Sequence, residues 1–434
     1  TLPQAMKQQL LDAYADGLGI AAPSLQSQAF PLAITFSPEG VIEQSLDTRL
    51  QVARTVFVET LDVREQVIKR ITNALDAGHC VAWVRNTIAD VLDAYDQCAP
   101  LFGAENILIF HARFAMGDRL EIESELEERF GTKSTHEQRK GRLLLASQVA
   151  EQSLDVDFDV LISDLAPIDR LIQRAGRMHR HVRDTQGNPK SSGADERGTA
   201  TLIVYAPTWS DDPPANWFKA SFVRSQKVYA NHAQLWLTQR ELRSGSYQMP
   251  EDGRRLIEAV YGEDATLPKG LQATALAAEG DAMGQNAVAH DNALKLPEGY
   301  AVGVVADWWR DTITPTRLGE ATTTVRLAIW RDGKLLPLCR YGRADKHDWA
   351  LSQVRVYEKY LKEEHLPAAT QAAAETLKAS LPDGGRWSVL LVLTDNETQG
   401  WQGSAKDAQG TIQSWRYDRK FGLRLLKETQ REKS

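Results

Sequence analysis

The chain has 434 residues, of which 42% are hydrophobic and 25% charged, and its formal net charge is -7. This length suffices for about two or three domains, and these fractions exclude whole-chain disorder, collagen and coiled-coil classes. No apolar run approaches the roughly 18 residues of a membrane span, so no membrane partner is expected. Three scattered cysteines argue against a disulfide framework or a zinc site and favour a reducing cytoplasm. Mild acidity leaves nucleic acid binding open, because such binding needs only a local basic track.

The first residues predict an amphipathic helix over 2–14, with Pro3 in its first turn. There is no basic region followed by an apolar stretch, so these residues are not a signal peptide. Because the sequence opens directly before a helix, we interpret it as a fragment of a longer protein; a native protein with a processed start is the alternative.

Residues 50–206 alternate between apolar strand patterns and helical patterns, which predicts an α/β fold with a parallel sheet covered by helices on both faces. The strand candidates are 51–61, 80–85, 107–112, 142–149, 159–164 and 200–206. The helical candidates are 63–78, 86–98, 117–131 and 167–176. Ligands of such folds bind at the carboxyl ends of the strands. An acidic run is expected on a solvated helix face: Asp118, Glu121, Glu125 and Glu128.

The composition changes after residue 206. A Gly/Ser/Asn/Pro-rich stretch at 182–198 predicts a mobile loop, and 216–242 predicts one long helix with an aromatic face for core packing. A hairpin turning at 331–334 and a strand at 386–395 are expected later. We therefore predict a RecA-like domain, then a helical linker and a smaller α+β C-terminal domain, with the bounds 1–206, 207–315 and 316–434.

One motif carries chemistry. In QRAGRMHR (173–180), Arg174, Arg177 and Arg180 recur every third residue, close to one face of a helix. Three guanidiniums that converge repel each other unless they meet an anion, and arginine suits bidentate phosphate contacts. A solvated basic helix start is the alternative for three arginines alone.

This motif and its neighbours resemble those of superfamily 2 helicases, and in detail those of the Cas-three family of type I CRISPR-associated helicase-nucleases. QSLD (152–155) resembles motif V and LIQRAGRMHRH (171–181) resembles motif VI. Four shorter matches agree: 1–3 with the tail of motif III, VRNT (84–87) with motif IV, FHARF (110–114) with motif IVa, and 316–327 with a run near the start of the family's C-terminal domain. The resemblance covers most of the chain and is strongest from 80 to 181.

The resemblance implies the second RecA-like half of an ATP-dependent DNA helicase with 3′ to 5′ polarity, which acts in CRISPR interference. Arg177 and Arg180 would face the γ-phosphate as arginine fingers, Gln173 would help to place it, and Asp155 would contact the nucleotide or the domain interface. For Arg174 an alternative is that it holds the motif in place through local carboxylates. The implied partners are single-stranded DNA and a crRNA-guided surveillance complex of the Cascade type.

The resemblance also implies a track that grips DNA phosphates without reading bases. Its candidate residues are Asn86, Thr87, His111, Arg113, Ser147 and Gln148. For His111 and Arg113 a surface salt-bridge pair is the alternative. At 146–150 the chain reads ASQVA where the family more often has Ser-Thr-Gln-Val-Val, but Ser147 keeps a hydroxyl for a phosphate contact.

No GxxxxGK[ST] phosphate loop and no DExx box occurs in the sequence. ATP and Mg²⁺ would therefore be shared with a RecA-like domain upstream of Thr1, and a divalent transition metal would belong only to an upstream nuclease domain. The fragment alone is expected to be inactive. Within these residues no metal site is expected, so the His-Asp dipeptides at 290–291 and 347–348 are interpreted as coincidences. The adjacent Trp308 and Trp309 offer a weaker stacking hypothesis.

Two alternatives stay open at this point. One is a repair or RNA helicase fragment of superfamily 2, which the tryptophan-rich C-terminal region and 316–327 disfavour. The other is a non-catalytic docking module.

Overall fold

The computed structural model describes residues 2–48, 53–151, 154–263, 265–291, 320–340, 345–381, 384–396 and 400–426. Thr1, Gln152, Ser153, Trp308 and Trp309 therefore lie outside the described residues, as do the first four residues of 316–327. The chain divides into two compact units, the first formed by Thr1–Leu108 with Leu126–Glu279 and the second by Ile109–Glu125 with Gly280–Ser434. The domain bounds expected from the sequence stay predictions.

The helices follow the sequence pattern closely in the first half of the chain. They are α1 (Gln4–Leu18), α2 (Arg64–Asp76), α3 (Ile88–Phe102), α4 (Met116–Phe130), α5 (His136–Arg139), α6 (Ile168–Ala175), α7 (Trp217–Ser221), α8 (His232–Leu242), α9 (Gly253–Tyr261), α10 (Lys269–Asp291), α11 (Asp345–Leu351) and α12 (Gln371–Ser380).

The described strands range from two residues to ten. They are β1 (Leu32–Ser37), β2 (Gly40–Ser45), β3 (Arg54–Leu61), β4 (Val81–Val84), β5 (Ile107–Phe110), β6 (Leu143–Ala146), β7 (Val160–Asp164), β8 (Thr201–Tyr205), β9 (Ser246–Met249), β10 (Thr322–Arg331), β11 (Lys334–Pro337), β12 (Gln353–Tyr357), β13 (Glu363–Glu364), β14 (Ser388–Asn396), β15 (Gly400–Lys406), β16 (Ile412–Asp418) and β17 (Gly422–Leu425).

A seven-stranded sheet in the order β5-β6-β4-β7-β8-β3-β9 organises the first half of the chain. β4 pairs in parallel with β6 and β7, and β8 pairs in parallel with β7 and β3, whereas the edge strand β9 runs antiparallel. Every residue of β4 and β6 is buried, as expected for parallel strands that are covered on both faces. The predicted α/β fold with a RecA-like parallel sheet is confirmed.

The predicted long helix over 216–242 is wrong. The segment forms α7, a 3-10 turn at Ser225–Lys227 and α8. A new helix starts because the Asn231 side chain accepts a hydrogen bond from the Gln234 amide as its N-cap. The aromatic residues still serve the core: Phe218 and Phe222 are buried and stack with their ring centroids 5.0 Å apart.

The second unit carries a mixed sheet with strands in the order β11-β10-β14-β15-β16-β17, and β12 and β13 pair with β10 and β15. The predicted hairpin is confirmed as β10 and β11, joined by Asp332 and Gly333 with φ angles of 50° and 73°. Positive φ at both positions is the geometry of a type I′ turn, whose twist suits antiparallel strands. The predicted strand at 386–395 is confirmed as β14.

The acidic run on α4 is solvated only in part, because Asp118 is buried. In the second unit its carboxylate accepts a hydrogen bond of 2.5 Å from the Tyr417 hydroxyl, which in turn accepts one of 3.0 Å from the Ala115 amide. Burial raises the pKa of Asp118 above its usual value. The expectation of a solvated face is therefore wrong for Asp118, although Glu121 and Glu128 are exposed.

The three cysteines are free thiols, and all three are buried. Within the described parts of the chain, no helix combines the length and the apolarity that crossing a membrane requires.

Candidate nucleotide and nucleic-acid site

The carboxyl ends of three adjacent parallel strands bring two residues of motif IV together with Gln148 and Asp164. After β4, the Arg85 guanidinium lies 2.8 Å from the carboxylate of Asp164, the last residue of β7, and both side chains are buried. The backbone amide of Asn86 also donates to the Asp164 carboxylate, at 3.2 Å. After β6, the Gln148 side chain donates to the Asn86 carbonyl at 2.7 Å. These residues therefore lie at the strand ends, where ligands of such folds bind, and their contact with a ligand stays a prediction.

Arg174 ties these loops to α6. Its guanidinium donates to the Glu151 carboxylate and to the Ser163 hydroxyl, both at 2.8 Å, and it also bonds Asn86 Oδ1 at 3.3 Å and the Tyr229 hydroxyl at 3.1 Å. Its side chain is only 1% exposed. The alternative stated for Arg174 is confirmed: it holds the motif in place through a carboxylate and does not present its charge to a ligand.

The three arginines do not share one helix face, which corrects the sequence interpretation. α6 ends at Ala175, and beyond Gly176 the chain becomes extended beside Phe158. The Phe158 amide donates to the Arg177 carbonyl at 2.9 Å, and the His179 amide returns a bond to the Phe158 carbonyl at 3.1 Å. His179 takes a positive φ of 49°, rare for a residue with a side chain. Arg177 and Arg180 consequently lie past the helix.

Arg177 and Arg180 both contact the loop that contains motif V. Arg177 donates to the Leu154 carbonyl at 2.7 Å and to the Glu151 carbonyl at 3.1 Å. The Arg180 guanidinium pairs with Asp155 at 2.8 Å, and these two side chains are 41% and 51% exposed. Burial lowers the pKa of Arg177 and the neighbouring Arg180 lowers it further, so an anion at this pair would be stabilised.

The structure thus brings together three of the four residues predicted to bind nucleotide: Asp155, Arg177 and Arg180. The fourth, Gln173, is exposed on α6. Because ion pairs between exposed side chains contribute little free energy, the Arg180–Asp155 pair can open for a phosphate at small cost. The guanidinium groups of Arg177 and Arg180 could then neutralise the negative charge on a transferring phosphoryl group.

Two of the predicted DNA contacts have structural roles, which is a correction. Asn86 is 1% exposed, and its side chain donates to the Leu165 carbonyl at 2.8 Å while it accepts from Arg174. His111 is fully buried and its ring stacks on Phe114, with the centroids 4.6 Å apart. Burial lowers the pKa of His111 to about 3, so the ring is neutral at physiological pH. Neither side chain is accessible to a DNA strand.

The other four candidates differ in how open they are. Thr87 caps α3: its hydroxyl accepts from the Asp90 amide at 3.0 Å and donates to the Asp90 carboxylate at 2.6 Å. Ser147 is 2% exposed, whereas Gln148 and Arg113 are half-buried. Their contacts to DNA stay predictions.

Sequence reasoning missed a buried ionic network behind the motifs. Asp157 and Asp159 lie within 3.0 Å of the Arg197 guanidinium, while Arg139 pairs with Asp159 at 2.7 Å and Arg183 with Asp157 at 2.5 Å. The loop at 182–198, expected to be mobile, supplies two of these arginines: Arg183 is fully buried and the Arg197 side chain is only 4% exposed. The only sequence signal was the presence of arginines inside an otherwise small and polar loop.

We predict that Asp159→Asn lowers the free energy of unfolding by about 3 kcal/mol at pH 7, because it leaves buried arginines with one carboxylate fewer. Burial alone would raise the pKa of Asp159, but Arg139 and the Cys80 amide outweigh it, so the pKa lies below its ordinary value. The stabilisation is therefore present above about pH 4 and is lost as the pH falls further.

Urea denaturation at pH 7 and at steps down to pH 3 measures this effect. The wild-type midpoint should fall toward that of Asp159→Asn over the acidic steps. Glu137→Gln, which removes an exposed carboxylate paired with Lys140, is the matched control and should leave the midpoint unchanged. Equal midpoints for wild type and Asp159→Asn at pH 7 would contradict the account.

Among the described residues, no group of three or more His, Cys, Asp or Glu side chains could hold a metal ion. The residues that could contact a nucleotide are the cationic pair Arg177 and Arg180 with Asp155. This donor set suits phosphate oxygens and not a cation, so Mg²⁺ would need ligands from elsewhere.

A parallel sheet with polar groups at its strand ends and arginines just beyond α6 is the arrangement of a RecA-like domain. Comparison with known proteins shows which proteins this chain resembles. Residues 77–183 match the family described as CRISPR-associated nuclease/helicase Cas3, C-terminal. The motif resemblance is thus confirmed, and these residues are similar to the C-terminal portion of Cas3.

Two curated relatives are informative. The chain is 33% identical over 187 residues to the CRISPR-associated nuclease/helicase Cas3 of Streptococcus thermophilus, a match over 42% of this chain and 20% of the relative. It is 30% identical over 275 residues to the CRISPR-associated endonuclease/helicase Cas3 of Escherichia coli K12, over 61% of this chain and 28% of the relative. The chain therefore matches less than a third of the length of either.

Solved structures agree on the fold. T. fusca Cas3 matches 98% of this chain and 50% of its own chain with a TM-score of 0.73 at 23% identity. A chain in a structure titled "CRISPR RNA-guided surveillance complex, pre-nicking" matches 98% of this chain and 52% of its own with a TM-score of 0.69 at 23% identity.

Proposed function

We propose that this chain is the second half of an ATP-dependent translocase that moves along single-stranded DNA from 3′ to 5′ in CRISPR interference. It would act with a preceding RecA-like domain that binds ATP and Mg²⁺, and with a preceding nuclease domain. The crRNA-guided surveillance complex is its proposed partner, since one similar chain comes from a structure of such a complex.

The observation that carries this proposal is the placement of Arg177 and Arg180. Both leave the end of α6, both contact the 151–155 loop, and Arg180 keeps an exposed guanidinium. ATP supplies the phosphoryl group that is transferred; this chain supplies the positive charge that stabilises it in the transition state. Arg174 bonds to Glu151, Asn86 and Ser163. These bonds hold the end of α6, and so Arg177 and Arg180 after it, in position beside the strand ends.

The proposal predicts that the 434-residue chain alone hydrolyses no ATP above background, because the charge-stabilising arginines lack a phosphate loop opposite them. Phosphate release, measured with and without single-stranded DNA, tests this. The same assay is run on the isolated chain and on the chain to which the preceding sequence has been restored. Only the protein with the preceding sequence restored is expected to hydrolyse ATP in response to DNA. ATP hydrolysis by the isolated chain would contradict the proposal that the ATP site needs a second domain. If neither protein hydrolysed ATP, a non-catalytic docking module would be favoured.

A further inference from the structure

The second unit contains a group of aromatic and basic side chains around Arg113, one of the predicted DNA contacts. Tyr357 ends β12, Lys359 and Tyr360 follow in the next turn, and Arg113 lies between β5 and α4. The tyrosines are 43% and 39% exposed. The Lys359 ammonium lies 5.0 Å from the ring centroid of Tyr357 and 5.1 Å from that of Tyr360. We call these four residues the tyrosine cluster.

The backbone explains why the two rings are presented together. Along β12, Val354 and Val356 are buried, so the alternation of the strand turns Arg355 and Tyr357 to the exposed face. The Tyr360 amide then donates to the Tyr357 carbonyl at 2.9 Å, which closes a turn and returns Tyr360 to the same end of the strand. Neither ring contributes to the core of the second unit.

Arg113 adds a cation with no counter-charge among the described residues. Its guanidinium carbon lies 5.8 Å from the Tyr360 ring centroid, and no carboxylate of the described residues pairs with it. Burial lowers the pKa of Arg113, which means that its positive charge is poorly solvated. Its backbone is fixed, because its carbonyl accepts from the Leu423 amide at 2.8 Å and a side chain at Gly422 would clash with that carbonyl. An anion beside Arg113 would therefore be stabilised.

Lys359 is paired with Glu320 in this structure, and both side chains are well exposed. Such a surface pair is weak and is screened by salt, so the ammonium can leave the rings or turn to another anion. The cluster thus offers two aromatic faces, one fixed cation and one exchangeable cation within one surface region.

We propose that the tyrosine cluster is a nucleotide subsite for single-stranded DNA, in which bases stack on Tyr357 and Tyr360 while a backbone phosphate pairs with Arg113. Stacking on aromatic rings beside basic groups tolerates any base, as a translocase requires. The inference rests on the proposed function and adds to it a base-stacking contact in the second unit, distinct from the phosphate contacts at the strand ends.

The test measures the affinity of the full-length protein for a labelled thymidine oligonucleotide and for an abasic strand of the same length. Tyr360→Leu and Tyr357→Leu should each weaken binding to the thymidine strand by about tenfold and leave the abasic strand unaffected. Tyr360→Phe keeps the ring and should bind like wild type. Trp387→Leu is the matched control, because Trp387 is 63% exposed beside Arg386 in the same unit and should not matter.

A salt titration separates the phosphate contact from stacking. Arg113→Gln should lower the slope of log affinity against log salt by roughly 0.7, one phosphate's worth, on both strands. The tyrosine variants should leave the slope unchanged, because stacking releases no counterion. In the wild-type protein, a 2-aminopurine in the strand should lose fluorescence on binding, which reports stacking even if a variant fails to fold.

The outcomes are distinguishable. The subsite would be overturned if both tyrosine variants bound the thymidine strand as tightly as wild type and if 2-aminopurine kept its fluorescence on binding. The translocase proposal would still stand in that case. A full-length wild type that binds neither strand would overturn both. An unchanged slope for Arg113→Gln would remove the phosphate contact at that residue.

Discussion

In the full-length protein, Arg177→Ala and Arg180→Ala are each expected to slow DNA-stimulated ATP hydrolysis by about 10³–10⁵, or roughly 4–7 kcal/mol of barrier. The reason is that each variant removes a guanidinium that would face the developing charge on the phosphoryl group. ATP binding should change little, because a phosphate loop elsewhere provides most ground-state contacts. Single-turnover hydrolysis with saturating ATP and DNA gives the rate of the chemical step.

Arg170→Ala is the control for that experiment. Arg170 belongs to the same helix as Arg174 but has an exposed side chain and pairs with Glu151 and Asp169, so its loss should leave hydrolysis within about twofold. A reduction of less than tenfold in both finger variants would show that the arginine fingers are assigned to the wrong residues.

Arg174→Ala is expected to destabilise the protein by about 3–5 kcal/mol, because it leaves the Glu151 carboxylate, itself only 6% exposed, without its buried partner. Four further contacts are lost at once, to Asn86, Ser163, the Asp164 carbonyl and Tyr229. Urea denaturation of this chain measures the loss. Arg170→Ala again serves as the control: it removes the other arginine that contacts Glu151, but that side chain is 47% exposed, so at most about 1 kcal/mol is expected.

A double variant tests whether Glu151 is the cause. If the buried pair carries the effect, Arg174→Ala combined with Glu151→Gln should be less destabilised than the sum of the two single variants. Simple additivity would show that Arg174 acts through its other contacts. Equal stability of Arg174→Ala and Arg170→Ala would contradict the assignment of Arg174 as the buried anchor.

Periodicity predicted the parallel sheet and its helices because each strand is a continuous apolar run and each helix has an apolar stripe. Periodicity failed where one local interaction ended an element. Arg174, Arg177 and Arg180 have a helical spacing, yet α6 ends at Ala175 and the next residues bond to Phe158 instead. In the same way, the cap at Asn231 divides a segment whose aromatic spacing fits one helix.

The candidate site was predictable at the strand ends, since the residues after β4 and β6 must meet when those strands are neighbours in a parallel sheet. What the sequence did not predict was burial. The sequence of a motif does not distinguish a polar residue that binds a ligand from one that bonds within the protein. Only the structure shows that Asn86 and His111 are buried. The charges of Arg183 and Arg197 are likewise hidden by tertiary contacts with Asp157 and Asp159, far apart in sequence.

The most direct test of the central claim is the affinity of the DNA-bound full-length protein for ADP–aluminium fluoride, a mimic of phosphoryl transfer, compared with its affinity for ADP. An arginine finger acts on the transition state, so Arg177→Ala and Arg180→Ala should lose more than about tenfold in affinity for the mimic and keep their affinity for ADP. If both variants bind the mimic as tightly as wild type does, these arginines do not complete the ATP site.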